Sequence, residues 1–382
     1  MLHLLYPFPE PLPLQKARAI QVVQTVAALG HAGVRVTLAF VPVAGQPDPF
    51  VAYGVSRPSN VVLCPLSRSL PGLPWLKSGA LFAWRLQRWC RAAQARGDGP
   101  DVIFVRHLKL AHRLLSGGIE VPLMYEAHEC FADTAPPKKA AGLAAQEVGV
   151  LQGVAQVIAI TAELGRLLKN RYRLDREIPI LPSATTLPER GSVKDWSGAK
   201  QSIVYAGSLY GWKGVDDLVD AAAYLPAEFE ISILGGDPAS IARLQARQAS
   251  AGAQIHFRGH VSHADVMETL IRSCIAVLPN RAGSVSAFTS PLKLFEAMAA
   301  GCALVVSDLP VFREVLCNED AVWFEAGNPQ ALAQAIQTCL NDPIAAAAAG
   351  ARVREQAKQF SWAGRAERIK TLMDEMREKT HG

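Results

Sequence analysis

The sequence lacks the segments that mark membrane-spanning, secreted and metal-stabilised proteins. None of its apolar runs reaches about 18 residues, the length that a membrane-spanning helix needs. Its first residues carry no basic cluster ahead of an apolar stretch, so we expect no secretory signal peptide. The seven cysteines are odd in number and include no Cys-x2-Cys pair, which argues against structural disulfides and zinc sites. We therefore expect a cytoplasmic protein.

Two common nucleotide-binding motifs are also missing. No Gly-x-Gly-x-x-Gly follows the first strand-like segment, Leu2–Tyr6, and the predicted loop after it, Pro7–Gln15, holds four prolines. This argues against a dinucleotide-binding dehydrogenase. The Walker sequence Gly-x4-Gly-Lys-Ser/Thr does not occur. Because there is no Asp-x-Asp sequence and no cluster with metal-ligand spacing, we expect neither a required divalent ion nor a cofactor.

What the sequence does contain is an alternation of apolar strand-like segments with helical segments. In the first half, a helix is predicted over Ala17–Leu29 and a strand over Val34–Val41. Such alternation is typical of a parallel sheet with helices on both faces. A length of 382 residues indicates two domains, and the polar stretch Ser183–Gln201 is the predicted linker. The prediction is an α/β protein with domains at 1–183 and 184–360.

Residues 289–301, Thr-Ser-Pro-Leu-Lys-Leu-Phe-Glu-Ala-Met-Ala-Ala-Gly, form the most informative segment. A Ser-Pro turn leads into a short helix that ends at Gly301, before the apolar strand Ala303–Ser307. The free N–H groups and the positive dipole end at such a helix start suit a diphosphate. Glu296, on the inner face of the helix, can accept two ribose hydroxyls. The alternative is an ordinary core helix with one buried glutamate.

A second segment, Ser202–Gly214, has the layout of a phosphate-binding loop. Ser202–Ala206 reads as an apolar strand, and Gly207–Gly214 as a loop with a single cation, Lys213. Strand, glycine loop, lysine and helix in this order can surround phosphate groups. Further elements are predicted as a helix over Val215–Tyr224 and strands over Phe229–Leu234, Ile255–Gly259 and Cys274–Pro279.

In order and spacing, these segments resemble the retaining nucleotide-sugar enzymes of glycosyltransferase family 4, in a sub-branch with an SPLKLFE motif. The matching pieces are YAGSLYGWKG, ISILGG, IHFRGHVSHADV, IAVLPN, TSPLKLFEAMAAGCALVVSDLP and FREVL. The resemblance implies the GT-B architecture, in which two Rossmann-like doubly wound parallel-sheet domains face each other across a cleft. It also implies that the second domain makes most donor contacts and that the C-terminal helix 361–382 packs back on the first domain.

The resemblance assigns roles to individual residues. Lys213 would neutralise the donor diphosphate as a catalytic residue, and Glu296 would hold the ribose. Val261 would contact the base through its main chain. His128, just past the predicted strand Leu123–Glu126, would be a second catalytic residue near the sugar and the β-phosphate, or else a surface histidine. The remaining donor-binding candidates are Gly207, Ser208, Ser290, Pro291, Leu292 and Lys293.

Two positions depart from the family pattern. Phe288 stands where the first Glu of a Glu-x7-Glu motif would be, and Ser208 stands where an arginine often follows the glycine. Lys293 either supplies the missing positive charge or is a solvated lysine on a helix surface. Because Phe288 cannot act as a nucleophile, we expect front-face attack with retention, in which the leaving phosphate accepts the proton of the acceptor hydroxyl.

The implied reaction moves a hexose-type sugar from a nucleoside diphosphate, with UDP or GDP expected, to a glycan, glycolipid or small-molecule hydroxyl. Glu126 and Glu129, which flank the strand end near His128, are both candidates for an acceptor-side base. Two other functions stay open. One is a different sugar-nucleotide enzyme on the same fold, such as an epimerase, and the other is a non-catalytic binding or scaffold protein.

Charge is distributed unevenly along the chain. Residues 1–183 hold 20 Lys and Arg against 12 Asp and Glu, whereas the rest holds 19 against 22. No acidic residue occurs between Asp48 and Asp98. This basic half could face an acidic surface or simply meet water.

A helix predicted over Leu81–Arg96 lies inside the acid-free stretch. Apolar positions fall on one of its faces and arginines on another, and Trp75 and Trp84 add aromatic surface. We expect 75–96 to be either an anionic membrane contact, at the inner membrane face, or an ordinary covering helix. No nucleic-acid partner is expected, since no groove-reading or stacking motif accompanies the charge. The apolar positions are Phe82, Leu86, Trp89 and Ala93, and the arginines are Arg85, Arg88 and Arg96.

Overall fold

The chain forms two compact units in the computed structural model. The first comprises Met1–Pro182 with Trp362–Gly382, and the second comprises Ser183–Ser361. Only part of the predicted linker, Ser183–Gln201, lies within the residues that the structure describes. Those residues are 1–14, 17–46, 48–70, 72–73, 75–188, 194, 196, 202–249, 251–283 and 292–381.

The first unit is built on a parallel sheet with the strand order β3-β2-β1-β4-β5-β6. The strands are β1 (His3–Leu12), β2 (Arg35–Pro42), β3 (Val61–Pro65), β4 (Val102–Val105), β5 (Leu123–Ala127) and β6 (Gln156–Ala159). The helices are α1 (Ala17–His31), α2 (Pro49–Ala52), α3 (Gly79–Ala95), α4 (Leu108–Ser116), α5 (Phe131–Thr134), α6 (Pro137–Gly153), α7 (Ala162–Tyr172) and the C-terminal helix (Trp362–His381).

The second unit repeats this plan with the strand order β12-β11-β10-β7-β8-β9. Its strands are β7 (Ser202–Ala206), β8 (Glu230–Leu234), β9 (Gln254–Gly259), β10 (Ile275–Leu278), β11 (Ala303–Ser307) and β12 (Ala321–Phe324). Its helices are α8 (Val215–Ala221), α9 (Pro238–Arg247), α10 (His263–Arg272), α11 (Leu292–Ala299), α12 (Pro310–Arg313), α13 (Pro329–Asn341) and α14 (Pro343–Ala357).

Both sheets have the doubly wound order in which the first strand of the unit lies in the middle. The central strands are apolar on both faces, as in β4 (Val-Ile-Phe-Val) and β11 (Ala-Leu-Val-Val-Ser), and every residue of these two strands is buried. Parallel strands covered by helices on both sides require this composition. The predicted fold class is confirmed.

The predicted loop Pro7–Gln15 is wrong over its first six residues, because β1 continues through three of the four prolines to Leu12. Beyond Leu5, β1 pairs with β2 alone, since its pairing with β4 covers only Leu4 and Leu5. One edge of the strand is therefore free of ladder partners, and prolines are tolerated where their missing N–H faces such an edge. The alternation of proline with other residues in this segment suits an edge-like strand as well as a loop.

The C-terminal helix completes the core of the first unit. Its apolar residues pack with those of α1, β1 and β2 in one buried cluster. Each such side chain larger than alanine contributes roughly 1.5–3 kcal/mol when it is removed from water. The contributing residues of this helix are Ala366, Ile369, Leu372, Met373 and Met376.

Candidate functional site

The glycine loop after β7 is fastened to its neighbours by the backbone. The N–H of Gly207 donates to the carbonyl of Leu234 at 2.9 Å, and the hydroxyl of buried Tyr205 donates to the carbonyl of Ser208 at 2.7 Å. Gly214 closes the loop with φ +68°, and a Cβ there would lie 1.7 Å from the carbonyl oxygen of Pro279. Only glycine fits this position, so the loop is held against the end of β10.

Lys213 and Lys293 bring two positive charges to this loop. The Nζ of Lys213 lies 3.8 Å from the ring centroid of Trp212, and the Nζ of Lys293 lies 4.7 Å from that of Tyr205. A Cβ on Gly207 would meet the Cδ of Lys293 at 3.8 Å, which places that side chain against the loop. Within the described residues, neither lysine forms an ion pair with a carboxylate.

Lys293 is not a solvated surface lysine, so that alternative from the sequence is wrong. Its ammonium nitrogen is buried and has no hydrogen-bond partner among the described residues. Burial, and then the charge of nearby Lys213, lower the pKa of Lys293 well below its ordinary value. Burial also lowers the pKa of Lys213, to about 8. Such uncompensated cations destabilise the free protein and would be stabilised by a bound anion.

Glu296 lies on the inner face of α11 and is only 9% exposed. Its Oε1 accepts a hydrogen bond from the Nε2 of His263 at 2.8 Å. This hydrogen bond, together with the carboxylate charge, raises the pKa of His263 despite partial burial. His263 begins α10, two residues after Val261, so one contact joins the predicted ribose carboxylate to the predicted base-contact segment.

Sequence reasoning missed His263, although it lies in the quoted segment IHFRGHVSHADV. No pattern in a single sequence connects position 263 to position 296, and only the sheet order of the second unit brings the two elements together. Of the other donor candidates, Leu292 opens α11 and is half-buried. Ser290 and Pro291, and also Phe288, lie outside the described residues.

Asn280 is a second residue that sequence reasoning did not single out. It follows β10, is fully buried, and neither its Oδ1 nor its Nδ2 has a hydrogen-bond partner among the described residues. A buried amide without partners is costly and marks places where a ligand or water completes the bonding. The backbone N–H of its neighbour Arg281 donates to the carbonyl of Trp212, beside Lys213, at 2.9 Å.

In the first unit, His128 is held on both sides of its ring. Nε2 lies 2.8 Å from the Oε2 of Glu126, and Nδ1 lies 3.2 Å from a guanidinium nitrogen of Arg106. Because the arginine can only donate, Nδ1 is the acceptor and Nε2 carries the proton. Burial, and then the charge of Arg106, lower the pKa of His128 to about 4, so the ring is neutral at pH 7.

Glu126 is not available as a base. It is 1% exposed and forms a buried ion pair with Arg365 of the C-terminal helix. Burial alone would raise its pKa, but the charge of Arg365 and the contact with His128 outweigh burial and hold the pKa well below its ordinary value. Glu129 is more accessible and accepts a hydrogen bond from the hydroxyl of Thr134 at 2.6 Å.

Comparison with protein families decides the class. A model described as "Glycosyl transferases group 1" matches residues 200–342, and a "Glycosyl transferase 4-like domain" matches residues 19–182. The chain belongs to the glycosyltransferases that these two models describe, which together match most of its length. The two matches fall on the second and first units of this glycosyltransferase respectively.

Solved structures similar to this glycosyltransferase share its fold over nearly the whole chain. Sucrose-phosphate synthase from Thermosynechococcus elongatus aligns with a TM-score of 0.77 at 19% identity, over 99% of this chain and 100% of that one. HepE from Anabaena, in complex with UDP and glucose, aligns with a TM-score of 0.72 at 14% identity, over 98% and 100%. A glycosyltransferase from Rickettsia africae gives 0.71 at 14%, over 98% of both chains. A search of curated proteins by sequence finds no match.

Within its described residues, this glycosyltransferase has no group of three or more His, Cys, Asp or Glu side chains placed to hold a metal ion. A helix with the length and apolarity needed to cross a membrane is not found in the same part of the chain.

Proposed function

We propose that this glycosyltransferase moves a hexose from a nucleoside diphosphate sugar to a hydroxyl acceptor, with retention and without a metal ion. The observation that carries the proposal is the pair Lys213 and Lys293, two cations that crowd one glycine loop and have no carboxylate partner among the described residues. A diphosphate is the group that would match them. UDP is the first candidate, since HepE of the same fold was solved with UDP-glucose.

The nucleoside would bind about one turn beyond Lys293 along α11, at Glu296. Glu296 offers a carboxylate whose orientation is fixed through Oε1 by His263. A carboxylate so oriented can accept hydrogen bonds from ribose hydroxyls, which are stronger than bonds between neutral groups. Val261 precedes His263 by two residues and brings main-chain polar groups to the same region. We therefore assign the ribose to Glu296 and the base to the segment at Val261.

The chemistry proposed is front-face transfer. As the bond between the anomeric carbon and the phosphate oxygen lengthens, negative charge develops on the leaving diphosphate. Lys213 and Lys293 stabilise that charge, and the phosphate oxygen accepts the proton of the attacking hydroxyl on the same face of the sugar. Neutral His128 has both ring nitrogens occupied by Glu126 and Arg106, so we propose that it orients Arg106 rather than transferring a proton.

Turnover in the presence of a chelator tests this proposal. With EDTA present, the wild-type protein is expected to release UDP or GDP from one sugar conjugate, and the product anomer, observed by NMR, should keep the donor's configuration. Glu296→Gln should raise the donor KM about tenfold to a hundredfold, the loss expected for hydrogen bonds to a charged group. Glu268→Gln removes an exposed carboxylate of α10 and serves as the matched control. No turnover with any donor would instead favour a binding or scaffold protein.

The pH dependence of donor use should follow the charge of Lys213. In the free protein the pKa of Lys213 is about 8, so the ammonium is lost as the pH rises through that value. The kcat/KM for the donor is therefore expected to be high at pH 7 and to fall above about pH 8. Lys213→Arg keeps its charge throughout this range and should show a weaker decline near pH 8, since only Lys293 can then lose a proton. A wild-type profile that stays level from neutral pH to well above pH 8 would contradict the assignment.

A further inference from the structure

The first unit exposes an apolar surface along α3 and the loop that precedes it. Trp75 is 73% exposed and Trp84 is 53% exposed. Twelve large apolar side chains are exposed among the described residues, and five of them fall within residues 70–84. Scattered exposed apolar residues are normal, whereas a concentration of this kind marks an interaction surface. The five are Leu70, Leu73, Trp75, Leu76 and Trp84.

The loop is held next to the start of α3, so these side chains share one region. The N–H of Ser78, which caps α3, donates to the carbonyl of Arg68 at 2.8 Å. A guanidinium nitrogen of Arg85, in the second turn of the helix, donates to the carbonyls of Ser67 and Ser69 at 2.5 and 3.0 Å. The backbones of Leu70 and Leu73 pair in an isolated antiparallel β-bridge. Arg85 therefore fastens the loop instead of meeting water.

The outer face of α3 adds cations to this apolar surface. The inner face buries Phe82, Leu86 and Cys90, and the opposite face carries Trp84 with Arg88 and Arg91. The Arg88 guanidinium lies 5.7 Å from the ring centroid of Trp84. Arg88 and Arg91 form no ion pair within the described residues. The sequence offers them no local carboxylate either, since none occurs between Asp48 and Asp98.

We propose that this face, consisting of the five apolar residues with Arg88 and Arg91, binds the surface of an anionic lipid bilayer. Tryptophan and leucine side chains enter the boundary between headgroups and acyl chains, and arginines beside them attract anionic headgroups. The single sign of charge favours an anionic surface over a mixed protein face. The leucines and the absence of a groove-reading element favour lipid over nucleic acid.

Sedimentation of the full-length protein with lipid vesicles tests the proposal and measures no sugar transfer, so its outcome is independent of the donor chemistry. Vesicles of equal parts phosphatidylcholine and phosphatidylglycerol should bind the protein, and vesicles of phosphatidylcholine alone should not. Added salt should weaken binding, because exposed charges are screened. Arg88→Gln with Arg91→Gln should lower the partition coefficient about thirtyfold. Trp75→Ala with Trp84→Ala should lower it by about tenfold or more.

Control variants in the second unit keep the test specific. Ile344→Ala removes an apolar side chain that is as exposed as the tryptophans, and Arg258→Gln removes an exposed cation. Both should bind vesicles like the wild type. The proposal is overturned if the wild type does not bind anionic vesicles or binds neutral vesicles equally well. It is also overturned if both double variants bind anionic vesicles as strongly as the wild type does. Circular dichroism checks that the variants remain folded.

Discussion

Lys213→Ala is expected to lower the kcat/KM for the donor by about a hundredfold to a thousandfold, the cost of removing one preorganised group that stabilises developing charge. The loop that carries Lys213 is fixed by Gly214 and by the contact of Arg281 with Trp212. The variant should therefore fold normally and fail only in donor use. Steady-state kinetics with the preferred donor measures the effect. Lys358→Ala, which removes an exposed lysine of the same unit, should leave the kcat/KM for the donor unchanged.

Lys293→Met separates a functional role from a structural one for the second lysine. A buried ammonium without partners destabilises the free protein, so an apolar side chain of similar length is expected to raise the melting temperature without donor. The same variant should lose donor affinity, because one of the two charges facing the diphosphate is gone. A structural lysine would give the opposite stability change, and a melting temperature that falls in this variant would contradict our assignment.

Arg365→Met is expected to reduce the free energy of unfolding by about 3–5 kcal/mol, because it leaves the buried carboxylate of Glu126 without its main counter-charge. The guanidinium also donates to the carbonyls of Leu181 and Pro182, at 2.8 and 2.5 Å, and these acceptors would lose their partner. Urea unfolding measures the loss. Arg368→Met, on an exposed face of the same helix, is the matched control and should change stability little.

The cause of this loss can be checked through Glu126 and through pH. Arg365→Met with Glu126→Gln should be more stable than Arg365→Met alone, since no buried charge is then left unpaired. Because the folded-state pKa of Glu126 is lowered, its contribution is present above the ordinary pKa of a glutamate and is lost as the pH falls. The gap in stability between wild type and Arg365→Met should therefore narrow in acid. Equal losses for the single and double variants would contradict the ion-pair explanation.

The sequence predicted the fold well because alternating segments have few ways to pack. Apolar strands such as Val102–Val105 and Ala303–Ser307 can be buried on both faces only in a covered parallel sheet. The prolines of β1 led to the wrong prediction of a loop, because proline is unfavourable in a central strand. It is acceptable where one edge of the strand is unpaired. That edge depends on how far β4 extends along β1, which local sequence does not encode.

The site could be predicted only where its residues are close together in the sequence. A glycine loop with one lysine, and a glutamate on a short helix, can be recognised from residue order. The burial of Lys293 against Tyr205 and the contact of His263 with Glu296 arise from elements that are distant in sequence and adjacent only in the folded sheet. For His128 only half of the arrangement is local, because Glu126 is two residues away whereas Arg106 follows the neighbouring strand β4.

Nucleotide binding by the wild-type protein tests whether Lys213 and Lys293 form a donor site. Thermal shift should be measured against UDP, GDP, ADP and TDP and their common sugar conjugates, with Lys213→Ala in parallel. We predict that UDP or GDP, and one sugar conjugate of that nucleotide, raise the melting temperature selectively. At a ligand concentration a hundredfold over the dissociation constant, binding stabilises the folded protein by about 2.7 kcal/mol. Lys213→Ala should lose most of that shift. If no nucleotide stabilises the wild-type protein, the two lysines do not form a donor site.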